Sequence, residues 1–164
     1  MTRQGVAGDP EADRVLRRFG VDLRVARVVA GLTQEQVAER AGLSQKTVSF
    51  AERGMRNLRW SVMHALAAAV GHGLGLVFGT AVYVPAQQEL LRFGADLREA
   101  RDLAGLTQER VAEKAGLSQR TVSLAELGER NMRWSVMHAL ARAVDRRLGL
   151  VLDPPARSGR DDER

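Results

Sequence analysis

Two sets of four side chains carry the chemistry of this chain: Gln45, Lys46, Ser49 and Phe50, then, 74 positions later, Gln119, Arg120, Ser123 and Leu124. A glutamine amide both donates to and accepts from an adenine edge, or bonds a phosphate. Lysine and arginine suit guanine O6 and N7, arginine better because it donates two bonds at once. The serines can touch a base or a backbone. Phe50 and Leu124 either offer apolar surface to a thymine methyl or pack on a neighbouring helix; both readings stand. The spacing i, i+1, i+4, i+5 gathers each set on one side of a helix.

The elements that must position these residues are written twice. Residues 19–77 laid on 93–151 agree at about 44 of 59 positions. Two copies at so long a period indicate a tandem domain duplication, not a solenoid. In copy one, Val15, Leu16, Phe19, Leu23 and Ala26 recur at helical spacing over 11–30. Thr33 caps a short helix, "TQEQVAERA", with Gln36 placed to complete a capping box. Gly42 suits the left-handed turn after it. Ser44 caps "SQKTVSFAER", and Gly54 closes it. Ser61 is expected to cap a further helix to about Val70, with Trp60 as a hydrophobic staple. Copy two repeats the plan, except that Arg110 replaces Gln36 and loses the reciprocal box. Within the motif Val37, Ala38, Ala41, Leu43, Val48 and Ala51 form the buried side, which leaves the four chemical residues facing outward.

The stretches "LGLVFGTAVYV" (74–84) and "LGLVL" (148–152) are apolar and β-branched and read as short strands. An isolated ribbon is marginal, so the strand of copy one is expected to pair with that of copy two. Pro85 is expected to start the next helix. The ends, 1–10 and 153–164, are polar and rich in Pro, Gly and charge, and read as disordered tails. The division is copy one at 11–78, a linker or strand at 79–85, and copy two at 86–152.

Composition narrows the function classes. The net charge is +5 and the pI about 10.8, which favours polyanionic partners. There is no cysteine, hence no disulfide, thiolate metal site or cysteine nucleophile. No apolar run is long enough to span a bilayer and the N-terminus has no signal core, so a cytoplasmic, nucleoid-associated protein is expected. His64 and His138 lie without a carboxylate cluster at ligand spacing and read as helix-packing residues, so no metal or cofactor is expected. No phosphate-binding glycine loop or nucleophile–base pair is present, so the chain does not read as an enzyme.

"LTQEQVAERAGLSQKTVSFAERG" and "LTQERVAEKAGLSQRTVSLAELG" resemble the lambda-repressor-like (Xre/Cro) helix-turn-helix family across nearly all of each copy. The resemblance implies a mainly α protein of two tandem five-helix DNA-binding domains. The second motif helix would enter the major groove, with Gln45, Lys46, Ser49, Phe50 and their counterparts at base edges. Gln34 and Gln108 open the first motif helix, where free N–H groups attract a phosphate. The following loop, with Arg53, Arg56, Asn57 and Arg59, then Arg130, Asn131 and Arg133, would lie along the backbone; a plain solvated loop is the alternative. Leu127 replaces Arg53, so the copies need not grip equally. Arg27 with Glu52, and Arg101 with Glu126, match a family ion pair tying the first helix to the recognition helix. The partner implied is double-stranded DNA, read by a monomeric pseudo-dimer at a near-palindromic operator, most simply for repression; a true homodimer is the competing geometry. A different class of function also fits: an antitoxin or adaptor that binds a protein and uses DNA for autoregulation. Each copy is used up by the motif and its support, so no separate effector domain is expected.

Overall fold

The computed structural model describes residues 9–55, 57–79, 81–83, 89–129 and 131–153. Copy one contains α1 (Pro10–Val29), α2 (Gln34–Ala41), α3 (Gln45–Glu52), α4 (Trp60–Ala69) and β1 (Gly73–Phe78), followed by β2 (Ala81–Tyr83). Copy two contains α5 (Glu89–Leu103), α6 (Gln108–Ala115), α7 (Gln119–Leu127), α8 (Trp134–Ala143) and β3 (Leu148–Asp153). The chain is mainly helical. Among the described residues each copy has four helices, where the resemblance implied five; a strand follows α4 and α8 in place of another helix.

Local chemistry explains the short helices. Thr33 accepts the Gln36 N–H at 3.1 Å while Gln36 Oε1 accepts the Thr33 N–H at 2.9 Å, a complete capping box. Its counterpart Arg110 pairs instead with Glu113, at 2.8 Å. Gly42 and Gly116 end α2 and α6 in the left-handed region, at φ 67° and 68°. Gly20 is small for another reason. A Cβ there would lie 2.4 Å from the Ala51 carbonyl oxygen, because α1 crosses the end of α3 at backbone distance. Gly94 repeats this against Ala125.

Helix α1 begins at Pro10, one residue earlier than the periodicity indicates, and Asp9 is its N-cap, accepting the Glu11 N–H at 3.0 Å. Asp9 thus belongs to the fold and not to a tail. Asp153, read as the start of the other tail, instead ends β3 opposite Gly73; residues 1–8 and 154–164, and Pro85, read as the start of the next helix, lie outside the described residues.

The strands pair between copies as the sequence suggests. The sheet order is β2-β1-β3, all antiparallel, with Leu76 opposite Leu150. A second crossing joins Arg59 to Arg133, where the Trp60 N–H donates to the Met132 carbonyl and the Trp134 N–H to the Leu58 carbonyl, each at 2.9 Å. Both crossings join a residue to its own counterpart 74 positions on. A residue meets its counterpart only on a twofold axis, so a pseudo-twofold runs through both.

The helices that follow this crossing depart from expectation. Ser61 and Ser135 do not cap α4 and α8; Arg59 and Arg133 hold the N-cap positions, without a side-chain bond. The missing acceptors come from the other copy. Asn57 Oδ1 accepts the Ser135 N–H at 3.0 Å and its Nδ2 donates to Ser135 Oγ at 2.6 Å. Asn131 does the same to Ser61, at 3.1 and 2.6 Å. The tryptophans open these helices as buried anchors, not as staples outside the cap, and Trp134 Nε1 donates to the Ala12 carbonyl across the copies at 3.2 Å.

One apolar cluster runs through both copies, including Phe19, Leu23, Val48, Met63 and Leu76 from the first and Phe93, Leu97, Val122, Met137 and Leu140 from the second. Phe78 of β1 meets Phe93 of α5 edge-on at 5.4 Å, and α1 packs on β3. A domain of about 70 residues buries too little surface to be robust alone; here each copy supplies part of the other's core.

Candidate nucleic-acid interface

The position of α3 is fixed from beneath. Glu52, on its last turn, is buried and takes both oxygens to Arg27 of α1: Nε donates to Oε1, and Nη2 to Oε2 at 3.2 Å. Arg27 Nη1 also holds the Leu32 carbonyl at 3.0 Å. In copy two Arg101 grips Glu126 at 2.5 and 3.2 Å and the Leu106 carbonyl at 3.0 Å. The Glu126 carboxylate holds the Arg101 pKa above its ordinary value. Both expected ion pairs are therefore present, each bidentate and each joining the first helix to the recognition helix.

Gln34 and Gln108 stand at the N-termini of α2 and α6 as expected, but their side chains turn inward. Gln34 Nε2 donates to Glu52 Oε2 at 2.9 Å and Gln108 Nε2 to Glu126 Oε2 at 2.8 Å. These amides complete the ion-pair network and leave the backbone N–H groups of those helix ends as anion donors.

The outer side of α3 starts at Ser44, whose Oγ accepts the Thr47 N–H at 3.2 Å. Gln45 and Lys46 are exposed in the first turn, while Ser49 and Phe50 are half-buried in the second. Two cations approach the Phe50 ring, Lys46 Nζ at 5.6 Å and the Arg53 guanidinium at 5.2 Å, contacts worth about 0.5–1 kcal/mol each near a surface. Arg53 also donates to Ser49, to Oγ at 3.1 Å and to the carbonyl at 3.3 Å. Lys46, Ser49, Phe50 and Arg53 form one connected group, with the cations presented outward over an aromatic base.

On α7, Gln119 and Arg120 are exposed and Ser123 and Leu124 half-buried. Leu124 and the 53% exposed Leu127 replace the aromatic ring and its arginine, so the linked group cannot form. The two outer faces differ in charge as well as shape.

The loop residues separate into two kinds. Asn57 and Asn131, expected on phosphates, spend their side chains on the opposite copy's helix N-terminus, as described above; their first role is the joint between copies. Arg59 and Arg133 are exposed and sit on the axis itself. The flanking hydrogen bonds make theirs the narrow type of antiparallel pair, with Cα atoms about 4.5 Å apart, where like charges repel. Arg133 Nη1 reaches the Asn57 carbonyl at 3.4 Å. Arg56 and Arg130 lie outside the described residues. Sequence reading missed the cross-copy asparagine bonds because nothing local marks them; the recurrence of R-N-x-R was a signal, but it pointed equally to a ligand and to the other copy.

Both recognition helices pack on their own copy, α3 on α1 and α2, α7 on α5 and α6, and each leaves its first turn exposed. Among the described residues no helix is long and apolar enough to cross a membrane. A family model described as a helix-turn-helix domain matches residues 18–76 and again 92–149. No curated protein matches the chain.

Proposed function

Because the chain belongs to the helix-turn-helix domain family, in two tandem copies, and is thus a DNA-binding regulator, we propose that it reads a near-palindromic operator with α3 and α7 of a single chain and represses by occluding a promoter. The observation that supports this most is the pseudo-twofold through Leu76–Leu150 and Arg59–Arg133. Dimeric readers place two recognition helices about one helical turn, roughly 34 Å, apart on one face of DNA, and fusion supplies the same symmetry without a second chain. It also raises the effective concentration of the second reader. Gln45 and Lys46, with Ser49 and Phe50, read one half-site; Gln119, Arg120, Ser123 and Leu124 read the other. Arg53, Arg59 and Arg133 serve phosphates, and a polyanion on the axis relieves the Arg59–Arg133 repulsion. The linked cation group of copy one makes the half-sites unequal.

Selection of bound fragments from random duplex DNA tests the reading. It should return an imperfect palindrome, and Gln45→Ala with Lys46→Ala should relax one half of it. Arg59→Ala with Arg133→Ala should weaken all sequences and lower the salt slope by about two. Equal behaviour of the two double variants would defeat the division into base readers and phosphate clamps. Light scattering of the free protein should give a monomer mass.

One observation favours a second reading, an adaptor or antitoxin with a protein partner. The outer side of α1 exposes Val21, Val25, Val28 and Val29, at 55–83%. Copy two has Ala95, Glu99, Asp102 and Leu103 at the same places. Under this reading a co-purifying partner is lost in Val25→Glu with Val28→Asp, while DNA binding survives.

A further inference from the structure

Between α1 and α8 lies a cleft of about 720 Å3, within the size range of small-molecule sites. Copy one supplies the N-terminus of α1 and the Gly54–Met55 turn that ends α3; copy two supplies α8 and the end of α6. Leu16, Met55 and Trp134 give it an apolar lining.

Three features mark the cleft as built for a ligand. His138 lines it, is 5% exposed, and its Nδ1 has no hydrogen-bond partner. Buried nitrogens are rarely left so, because an unmet polar atom keeps its full desolvation cost. The nearest acid oxygen, Asp9 Oδ2, is 3.5 Å away and already engaged by Arg142. Next, Trp134–Asp145 differs from its counterpart Trp60–Gly71 at two positions only, Arg142 for Ala68 and Asp145 for Gly71. Both of these residues line the cleft. Lastly, Asp145 holds a left-handed backbone, φ 56°, where copy one uses Gly71 at φ 78°. Aspartate tolerates this conformation better than most side chains, so the position that is bare in copy one carries a carboxylate here.

The charge of the lining selects the ligand. With Arg142 occupied by Asp9, the remaining acids Asp13 and Asp145 outnumber Lys114. His138 Nδ1 stands at ion-pair distance, 3.5 Å, from Asp9 Oδ2 without a hydrogen bond, so a head group that donates to both would take the place of that contact. We propose that this cleft binds a small organic amine. Its ammonium donates to His138 Nδ1 and Asp9 Oδ2 and is balanced by Asp13 and Asp145, and its apolar body lies over Leu16, Met55 and Trp134. Since the cleft joins the end of α3 to the end of α6, which packs on α7, an occupant biases the relative placement of the two readers. That consequence rests on the proposed DNA reading; the binding does not.

The test uses the full chain without DNA, so it fails or succeeds independently of the regulatory proposal. The chain has three histidines, and His138→Gln assigns the imidazole resonances of His138 by NMR. Benzylamine, benzyl alcohol and benzoate are the probes, isosteric but differing in charge. Benzylamine should shift the His138 signals saturably, at least about tenfold more tightly than the alcohol, and benzoate should not. Asp13→Asn with Asp145→Gly should abolish most of that preference; the second change installs the residue copy one already tolerates. The proposal is overturned if benzoate binds as well as the amine, if the double variant keeps the preference, or if no probe moves His138 at about 10 mM, well above ordinary fragment affinities.

Discussion

Replacing Asn57 by alanine isolates the joint between the copies. The side chain makes two bonds to Ser135, accepting its N–H at 3.0 Å and donating to its hydroxyl at 2.6 Å. The first satisfies an orphan donor at the start of α8, and loss of such a cap costs about 1 kcal/mol. The second adds about 0.5–1.5 kcal/mol if water cannot replace it. Asn57 is exposed, so water replaces part of it, and about 1.5 kcal/mol per site is a reasonable sum. For a cooperative domain of this size each kcal/mol moves Tm by about 2–4 °C. Asn57→Ala should therefore lower Tm by about 3–6 °C, and the double variant with Asn131→Ala by about twice that, since the two sites are separate. Thermal melts followed by circular dichroism read this directly. Were Tm unmoved in both variants, the cross-copy bonds would carry no stability and the asparagines would be free for a ligand after all.

Gly20→Ala should destabilise by about 1–3 kcal/mol or more in chemical denaturation, because its Cβ meets the Ala51 carbonyl at 2.4 Å, whereas Gly42→Ala, with open space around it but φ 67°, should cost only about 1 kcal/mol of backbone strain. Glu52→Gln leaves the part-buried Arg27 guanidinium without its counter-charge and should cost about 1.5–3 kcal/mol, seen as a loss of urea midpoint with an unchanged m value. The Asp9 carboxyl is held below its usual 3.8 by the Glu11 N–H, with Arg142 assisting. Its stabilising contribution is complete above 3.8 and is lost as pH falls through the lower folded value. Asp9→Asn should therefore be less stable than the parent at neutral pH, with the gap closing in acid melts below 3.8.

What could be read from sequence was what repeats and what is local. The capped pairs α2–α3 and α6–α7 follow from Thr33, Ser44 and their glycines, and the pairing of β1 with β3 follows from two strands that lack any other partner. The Arg27–Glu52 tie came with the resemblance. The errors share one cause. Ser61 looked like a cap because Ser before an apolar run is a good local signal, yet the bond comes from Asn131, 70 residues away. Asp9 looked like tail because its partners, Arg142 and Glu11, include one on the far copy. The inward turn of the Gln34 amide was hidden in the same way, because sequence shows the helix end but not the Glu52 that holds the side chain. Contacts between copies leave no periodicity, and the cleft formed there was invisible for the same reason.

The central strand β1 has consequences before the chain is finished. Its β2 neighbour follows at once, but the other edge waits for β3, about 70 residues later in synthesis, roughly 4–14 s at ordinary translation rates of 5–20 residues per second. During that interval the nascent first half carries an open, apolar ribbon edge, the feature that invites association with neighbours. The β3 of a second molecule offers the same register as the chain's own, so crowded ribosomes or refolding at high concentration favour exchanged pairs built wholly from native contacts. Dilution during refolding should shift such pairs back to single chains.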